Sequence, residues 1–194
     1  MTLQKRGVIA WREESLMLAP IPVPETEPAT ELIDGRLVRK MSPKRRHQAL
    51  EARWMQALNA WAGARGEAYH EWRHTFTAPG FTFASLVPDV AYDSRAVLDQ
   101  LGDADAVAPP RAPEFAVEIL SSGDSERELD WKIAAYLAGG TRVVFVVDPP
   151  NRTVIAHAAG SVTRFGAGET VTHATLPGFT YAVDAMFAGL YLGA

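Results

Sequence analysis

Apolar residues recur along the chain at the spacings of short strands and of two amphipathic helices. The segment 31–40 places an Asp-Gly pair between apolar pairs, which is typical of a tight turn, and therefore predicts a β-hairpin. A helix is predicted over 42–64, with Ser42 as its N-cap and Pro43 at its first helical position. Its buried face is predicted from residues at helical spacing: Leu50, Trp54, Ala57, Leu58 and Trp61.

The middle of the chain has the composition of strands that alternate with a helix. Residues 69–92 are interpreted as two strands joined by a turn at Pro79-Gly80. Two apolar runs of strand length, 114–120 and 142–148, lie on either side of a helix predicted over 125–138. These alternating elements favour the α/β fold class.

The remaining segments suggest one domain preceded by an arm. Residues 1–28 end in a proline-rich stretch that disfavours both helix and central strand, so they are interpreted as an N-terminal arm. The segment 93–113 is predicted to be a loop, and alternation around 162–172 predicts a closing antiparallel hairpin. We therefore expect a single domain over 29–194.

Composition narrows the class of protein further. With 194 residues, of which 47% are hydrophobic, the chain is long enough to bury one proper core. The net charge of −4 provides no global attraction to nucleic acid, so any such contact needs a local basic patch. The chain has no cysteine, which excludes disulfides and thiolate zinc sites and fits the cytoplasm. Its N-terminal apolar stretch is too short and too charged for a membrane span, so no membrane partner is expected.

Two acids interrupt apolar strand patterns. Asp89 lies in LVPDVAY and Glu118 lies in FAVEILS. Burying a carboxylate is unfavourable unless it is paired or binds a cation, and Mg²⁺ is a natural oxygen-binding partner. An acid at a solvated strand end is the alternative for either residue.

A nuclease site of the PD-(D/E)xK type would carry a lysine two residues after its second acid, which here is position 120. Residues 118 and 120 point to the same face of a strand, yet position 120 is leucine. Lys132, in the following helix, faces the strand end if that helix packs over it. The alternative is an ordinary surface ion pair between Lys132 and Glu128, one helical turn apart.

Landmarks along most of the chain resemble a known family, the Uma2 family, also called DUF820. They occur here in order as ELIDG (31–35), MSP (41–43) followed by His47, PDVAY (88–92), VEILS (117–121), Lys132 with Tyr136, and VVDP (146–149). The resemblance implies a restriction endonuclease-like core of the PD-(D/E)xK superfamily. Such a core has a mixed central β-sheet flanked by helices, here with additional antiparallel strands. Two departures are Ser121-Ser122-Gly123 in place of Ser-Pro-Ser, and glutamate at 128 in place of aspartate.

The resemblance also implies the roles of individual residues. Asp89 and Glu118 would be the two acids, Lys132 the displaced lysine, and Glu31 a further acid in the opening hairpin that adds a ligand or orients a bound water. Asp89, Glu118 and the Ile119 carbonyl would bind Mg²⁺, for which Mn²⁺ would substitute, and the product would be cleaved DNA.

Two non-enzymatic alternatives remain open. A nucleic-acid- or protein-binding module on the same scaffold would bind its partner without metal dependence. An assembly protein would form a homodimer through its arm and C-terminal strands, which a mass measurement in solution would detect.

Other polar and aromatic residues are weaker candidates. His47 follows the basic run 44–46 at a helix start, where a phosphate could bind, although a solvated helix end is the favoured interpretation. His70 and His74 are expected to share one face of a strand and to lie at the surface. Base stacking is considered for three tryptophans: Trp11, Trp72 and Trp131.

Overall fold

The structure is a computed structural model that describes residues 23–190 with the exception of residue 43. Most of the predicted N-terminal arm, including Trp11, and Pro43 therefore lie outside the described residues. The described end of the arm, residues 23–29, forms neither helix nor strand. Its Glu25 carboxylate accepts a hydrogen bond of 3.0 Å from Arg73, which ties the arm to the rest of the chain.

Twelve strands are present in the described residues. They are β1 Thr30–Ile33, β2 Arg36–Arg39, β3 Gly66–His70, β4 His74–Phe76, β5 Ala84–Leu86, β6 Val90–Ser94, β7 Phe115–Ile119, β8 Val143–Asp148, β9 Thr153–Ala158, β10 Ser161–Phe165, β11 Thr170–Val171 and β12 Tyr181–Ala182. The α-helices between and after them are α1 Arg45–Ala62, α2 Arg95–Leu98, α3 Asp103–Val107, α4 Glu126–Ala138 and α5 Val183–Phe187. None of these helices is long and apolar enough to cross a membrane.

The central element is a mixed six-stranded sheet in the order β10-β9-β8-β7-β6-β3. Its parallel pair is β7 and β8, joined by α4, and the other pairs are antiparallel. A second sheet has the order β2-β1-β5-β4, and β11 pairs with β12. The predicted mixed central sheet with flanking helices and additional antiparallel strands is confirmed.

Alternation along β7 and β8 divides the core between the two faces of the central sheet. Phe115 and Val117 face α1 and bury against Trp54 and Phe145. Ala116 faces the other side, where the core includes residues of α4 and of the smaller sheet: Ile33, Phe76, Leu86, Ile133, Ala135 and Tyr136. Because side chains alternate, Glu118 projects on the same face as Ala116, toward α4.

The segment 69–92 departs from the prediction of two strands. It contains four strands in two sheets, because β3 and β6 pair in the central sheet while β4 and β5 pair in the smaller one. The predicted turn at Pro79-Gly80 does lie between β4 and β5. The chain crosses between the sheets near Arg73, whose buried guanidinium donates to the Thr30 carbonyl and to Ser85 Oγ. The alternation of apolar and polar residues along one segment cannot show that the chain passes from one sheet to another.

Three further boundaries differ from the prediction. The first helix begins at Arg45 with Lys44 as its N-cap, not with Ser42. The loop predicted over 93–113 contains α2 and α3. The segment 162–172 does not pair with itself, because β10 pairs with β9 and β11 pairs with β12. The last difference arises because short strands are decided by pairing partners outside the segment.

Candidate functional site

A pocket of about 250 Å³ opens at the end of β7, between α1, α4 and the β1–β2 hairpin. Ile119 lines this pocket. So do all four residues that were predicted as catalytic, which are Glu31, Asp89, Glu118 and Lys132. Each of them is buried, and each comes from a different element or loop. The fold therefore brings these residues into one pocket.

Asp89 lies directly before β6 rather than within it, and both of its carboxylate oxygens are bonded. Its Oδ2 accepts a 2.6 Å hydrogen bond from the backbone N–H of Ile119. Its Oδ1 lies 2.7 Å from the ammonium of Lys40 and 3.2 Å from Nε2 of His47. Burial alone would raise the pKa of Asp89, but Lys40 and His47 outweigh it and hold this pKa well below its usual range.

Glu118 is bonded on both oxygens by side chains of α4. Lys132 Nζ lies 2.7 Å from Oε2, and the Tyr136 hydroxyl donates to Oε1 at 3.1 Å. Lys132 and Tyr136 reach the same carboxylate because residues four apart share one helix face. Burial raises the pKa of Glu118 above its ordinary value, and Lys132 offsets this only in part. Burial also raises the pKa of Tyr136, which therefore stays a donor.

Glu31 connects Lys132 to the segment before Asp89. Its carboxylate lies 3.2 Å from Lys132 Nζ, and its Oε1 accepts a 2.7 Å hydrogen bond from the Val87 backbone N–H. Burial opposes the charge of Lys132, but Glu118 and Glu31 outweigh it and raise the pKa of this lysine. Lys132 is therefore a charged ammonium between two carboxylates.

Lys40 and His47 both contact the Oδ1 atom of Asp89. The Lys40 ammonium also donates to the Val87 carbonyl at 2.8 Å, and His47 Nδ1 lies 3.1 Å from Ser121 Oγ. On its other side, His47 Nε2 lies 3.5 Å from Glu51 Oε1. Burial would lower the pKa of His47, but the neighbouring carboxylates of Asp89 and Glu51 raise it to about 10.

Two predictions, about His47 and Glu128, are corrected by these contacts, whereas Leu120 lies on the expected side. His47 is not a solvated helix end, because it packs onto Asp89. Glu128 does not pair with Lys132 and instead lies 3.6 Å from Arg36. Leu120 packs against the apolar core on the α4 side.

The other candidates lie away from the pocket. His70 and His74 do not share a face, since they belong to strands of different sheets, and His74 is fully buried rather than at the surface. Trp72 donates to the Ala106 carbonyl at 2.9 Å, and Trp131 packs edge-on against Phe81. Neither tryptophan lines the pocket that contains Asp89, Glu118 and Lys132.

Sequence reasoning did not assign Lys40, Glu51 or Tyr136 a role in the site. One signal for Glu51 was present in the helix pattern, because position 51 falls on the buried stripe that contains Trp54 and Leu58. A charged residue there is as unexpected as an acid within a strand. Lys40 follows a surface strand, and no local pattern distinguishes it from a solvated lysine.

Comparison with known proteins identifies the family. The sequence model of the Uma2 family, described as "Putative restriction endonuclease", matches residues 13–184. The chain belongs to the Uma2 family. No curated protein matches the chain.

A solved structure is similar to this Uma2 protein over most of its length. It is the crystal structure of "a putative nuclease belonging to DUF820 from Anabaena variabilis ATCC 29413", with a TM-score of 0.76 and 25% sequence identity. The similarity covers 85% of this chain and 93% of that chain. The predicted resemblance and fold are thus confirmed, and both comparisons support a nuclease-like role.

Within the described residues, His47, Glu51 and Asp89 form a group that could bind a metal ion.

Proposed function

We propose that this Uma2 protein is a magnesium-dependent endonuclease that hydrolyses phosphodiester bonds of DNA. Asp89, Glu118 and the carbonyl oxygen of Ile119 would bind Mg²⁺, and Lys132 would act on the attacking water. Glu31 would position Lys132. The observation that supports this most is the convergence of Asp89, Glu118 and Lys132 in one pocket from three separate parts of the chain.

The donor set suits a hard divalent ion. Three buried carboxylates line the pocket, those of Glu31, Asp89 and Glu118, and a fourth, that of Glu51, lies behind the pocket residue His47. When ionised they outnumber the cationic groups in contact with them, which are Lys40, His47 and Lys132. Such an excess of buried negative charge is unfavourable unless a cation balances it, and carboxylate and carbonyl oxygens are the ligands that Mg²⁺ prefers.

The chain's own residues would supply positioning and charge. When bound, Mg²⁺ would supply a more acidic water and would offset negative charge on the scissile phosphate. Lys132 has three N–H donors, and contacts to Glu118 and Glu31 fix the position of its ammonium. A remaining donor would orient the water or stabilise the negative charge that develops on the phosphate. Tyr136 holds the second oxygen of Glu118 and so fixes the orientation of this carboxylate.

Nucleic acid is the substrate class that the family description implies. The net charge of −4 does not favour it, but the edge of the pocket carries a local basic group. Lys44 is exposed and donates to Ser122 Oγ at 2.9 Å, and Arg45 is exposed beside it at the start of α1. These side chains could contact backbone phosphates near the pocket.

The test is plasmid nicking together with calorimetric titration of Mg²⁺ and Mn²⁺ on the same samples. We would compare the wild type with Asp89→Asn and Glu118→Gln, which keep the shape of each side chain. Glu128→Gln is the matched control, since Glu128 also lines the pocket but contacts Arg36 outside the cluster. Expected results are metal-dependent nicking by the wild type and the control, with at least about a hundredfold loss in the other two variants.

Two outcomes would contradict the proposal. Nicking by Asp89→Asn or Glu118→Gln at the wild-type rate would refute the site assignment. Absence of both metal binding and nicking in the wild type would favour the non-catalytic binding module. RNA and single-stranded DNA substrates in the same assay test the substrate, and light scattering tests the predicted homodimer.

A further inference from the structure

Three potential metal ligands meet on the α1 side of the pocket, and the proposed nuclease mechanism uses only one of them. One ligand atom each from His47, Glu51 and Asp89 lies within 4.8 Å of the other two. His47 Nε2 lies between the two acids, 3.2 Å from Asp89 Oδ1 and 3.5 Å from Glu51 Oε1. His47 and Glu51 are four residues apart in α1, so both project from the same helix face toward Asp89.

Glu51 is the residue that points to a ligand. It is only 7% exposed, and among the described residues its Oε1 atom accepts no hydrogen bond; the cationic group in contact with it is His47 Nε2, at 3.5 Å. A buried carboxylate oxygen without a partner is destabilising, and most such atoms are satisfied in native proteins. An apolar residue at this position on the buried stripe of α1 would avoid that loss. The charge at position 51 is therefore balanced in this structure only by the 3.5 Å contact with His47 and not by a hydrogen bond to Oε1.

The donor types indicate which ion this group would take. It combines one imidazole nitrogen, whose proton an incoming ion would have to displace, with two carboxylates, whereas Asp89, Glu118 and the Ile119 carbonyl offer oxygen only. Mg²⁺ favours all-oxygen sites, and an imidazole ligand favours first-row transition ions. The two sets of ligands should therefore differ in selectivity.

We propose that His47, Glu51 and Asp89 form a second divalent-cation position that prefers a transition ion such as Mn²⁺ over Mg²⁺. That Asp89 is shared between two positions rests on the proposed function, but the His47–Glu51–Asp89 position itself does not. In the structure the ammonium of Lys40 lies 2.7 Å from Asp89 Oδ1 and partly neutralises it. Lys40 borders the pocket, and its flexible stem lets the ammonium withdraw when an ion binds.

The first measurement counts bound Mn²⁺ ions by the electron paramagnetic resonance signal of the free ion. We expect two ions per chain in the wild type, of which excess Mg²⁺ displaces only one. Glu51→Gln should bind one Mn²⁺, which excess Mg²⁺ displaces. Glu118→Gln should also bind one, which Mg²⁺ displaces poorly. The matched control Glu128→Gln should bind two, and circular dichroism checks that each variant is folded.

The second measurement does not depend on the Glu51 variant. Pulsed electron paramagnetic resonance of Mn²⁺ bound in excess Mg²⁺ should show coupling to an imidazole nitrogen, and His47→Gln should abolish this coupling. Absence of the coupling in the wild type would overturn the inference, as would a Glu51→Gln variant that binds as many ions as Glu128→Gln. If the coupling is present but no nucleic acid is cleaved, the proposed function fails while the second cation position stands.

Discussion

The Lys132→Met substitution removes an ammonium that lies between two buried carboxylates while it keeps most of the side chain's apolar length. Lys132 Nζ lies 2.7 Å from Glu118 Oε2 and 3.2 Å from Glu31 Oε1. All three side chains are less than one-tenth exposed. The substitution therefore leaves two carboxylates buried without their shared counter-charge.

The expected loss of stability follows from this burial. Removing one partner of a buried ion pair costs about 3–5 kcal/mol, because the remaining charge is neither solvated nor paired. A domain has a free energy of unfolding of only about 5–15 kcal/mol in total. We therefore expect Lys132→Met to lose about 3–5 kcal/mol in the absence of metal, with a fall in Tm on the order of 10 °C for a chain of this length.

The assay is urea denaturation at about pH 7 in a chelating buffer, followed by circular dichroism. Arg127→Met is the matched control on the same helix. Arg127 lies 3.4 Å from Asp34, but the two side chains are 78% and 41% exposed. Such a pair contributes under about 1 kcal/mol, so the control should unfold close to the wild type.

A Lys132→Met variant no less stable than Arg127→Met would refute the reasoning, because the buried carboxylates would then not depend on the ammonium. A second comparison uses pH. Loss of Lys132 should raise the pKa of Glu118 further, since burial already raises it and Lys132 is the main group that lowers it. Burial already raises the pKa of Glu118 to about 7 in the wild type, and the folded variant would keep this proton to higher pH, so the loss of stability should grow as pH rises from about 7 to about 9.

Three further predictions concern single hydrogen bonds, close contacts and pH. Tyr136→Phe removes the donor to Glu118 and should cost about 1.5–3 kcal/mol in urea denaturation, while unchanged stability would contradict the bond. Gly66→Ala should lower Tm by several degrees, because its Cβ would lie 2.6 Å from a backbone oxygen of the neighbouring strand. Gly102→Ala, whose Cβ would meet nothing closer than 3.9 Å, should leave Tm nearly unchanged; equal shifts would refute the clash. Burial lowers the pKa of His74 to about 4, so wild-type stability should fall as pH drops from about 6.5 to about 4, by about 3 kcal/mol more than in His74→Phe. Parallel pH profiles of these two proteins would contradict that pKa.

The elements that the sequence determined are those with a strong local signal. The run VVFVVD suits a strand buried on both faces, and it forms β8 at the centre of the main sheet. The Asp-Gly pair in the first hairpin was predicted from its turn chemistry, and Asp34 and Gly35 do have positive φ angles of 49° and 71°. In both cases neighbouring residues suffice to fix the conformation.

The pairing of strands was decided only by tertiary structure. Residues 69–92 contain enough strand-forming residues for two long strands, yet they are divided between two sheets. Arg73 stands at the crossing, where its buried guanidinium finds Thr30 and Ser85 as acceptors. Thr30 is 43 residues from Arg73 in sequence, so no local pattern could indicate that the chain changes sheets there.

The site shows the same division. Asp89 and Glu118 could be selected from the sequence because a charge within an apolar strand pattern is a local signal. No local signal selects Lys40 or His47, and the site includes them and Glu51 only because β2 and α1 pack beside Asp89. Helical spacing shows that His47 and Glu51 share a face, but not which acid lies opposite that face. The sequence thus determined which acids are unusual, whereas packing of distant elements decided which charges balance them, because electrostatic contact depends on distance in space rather than along the chain.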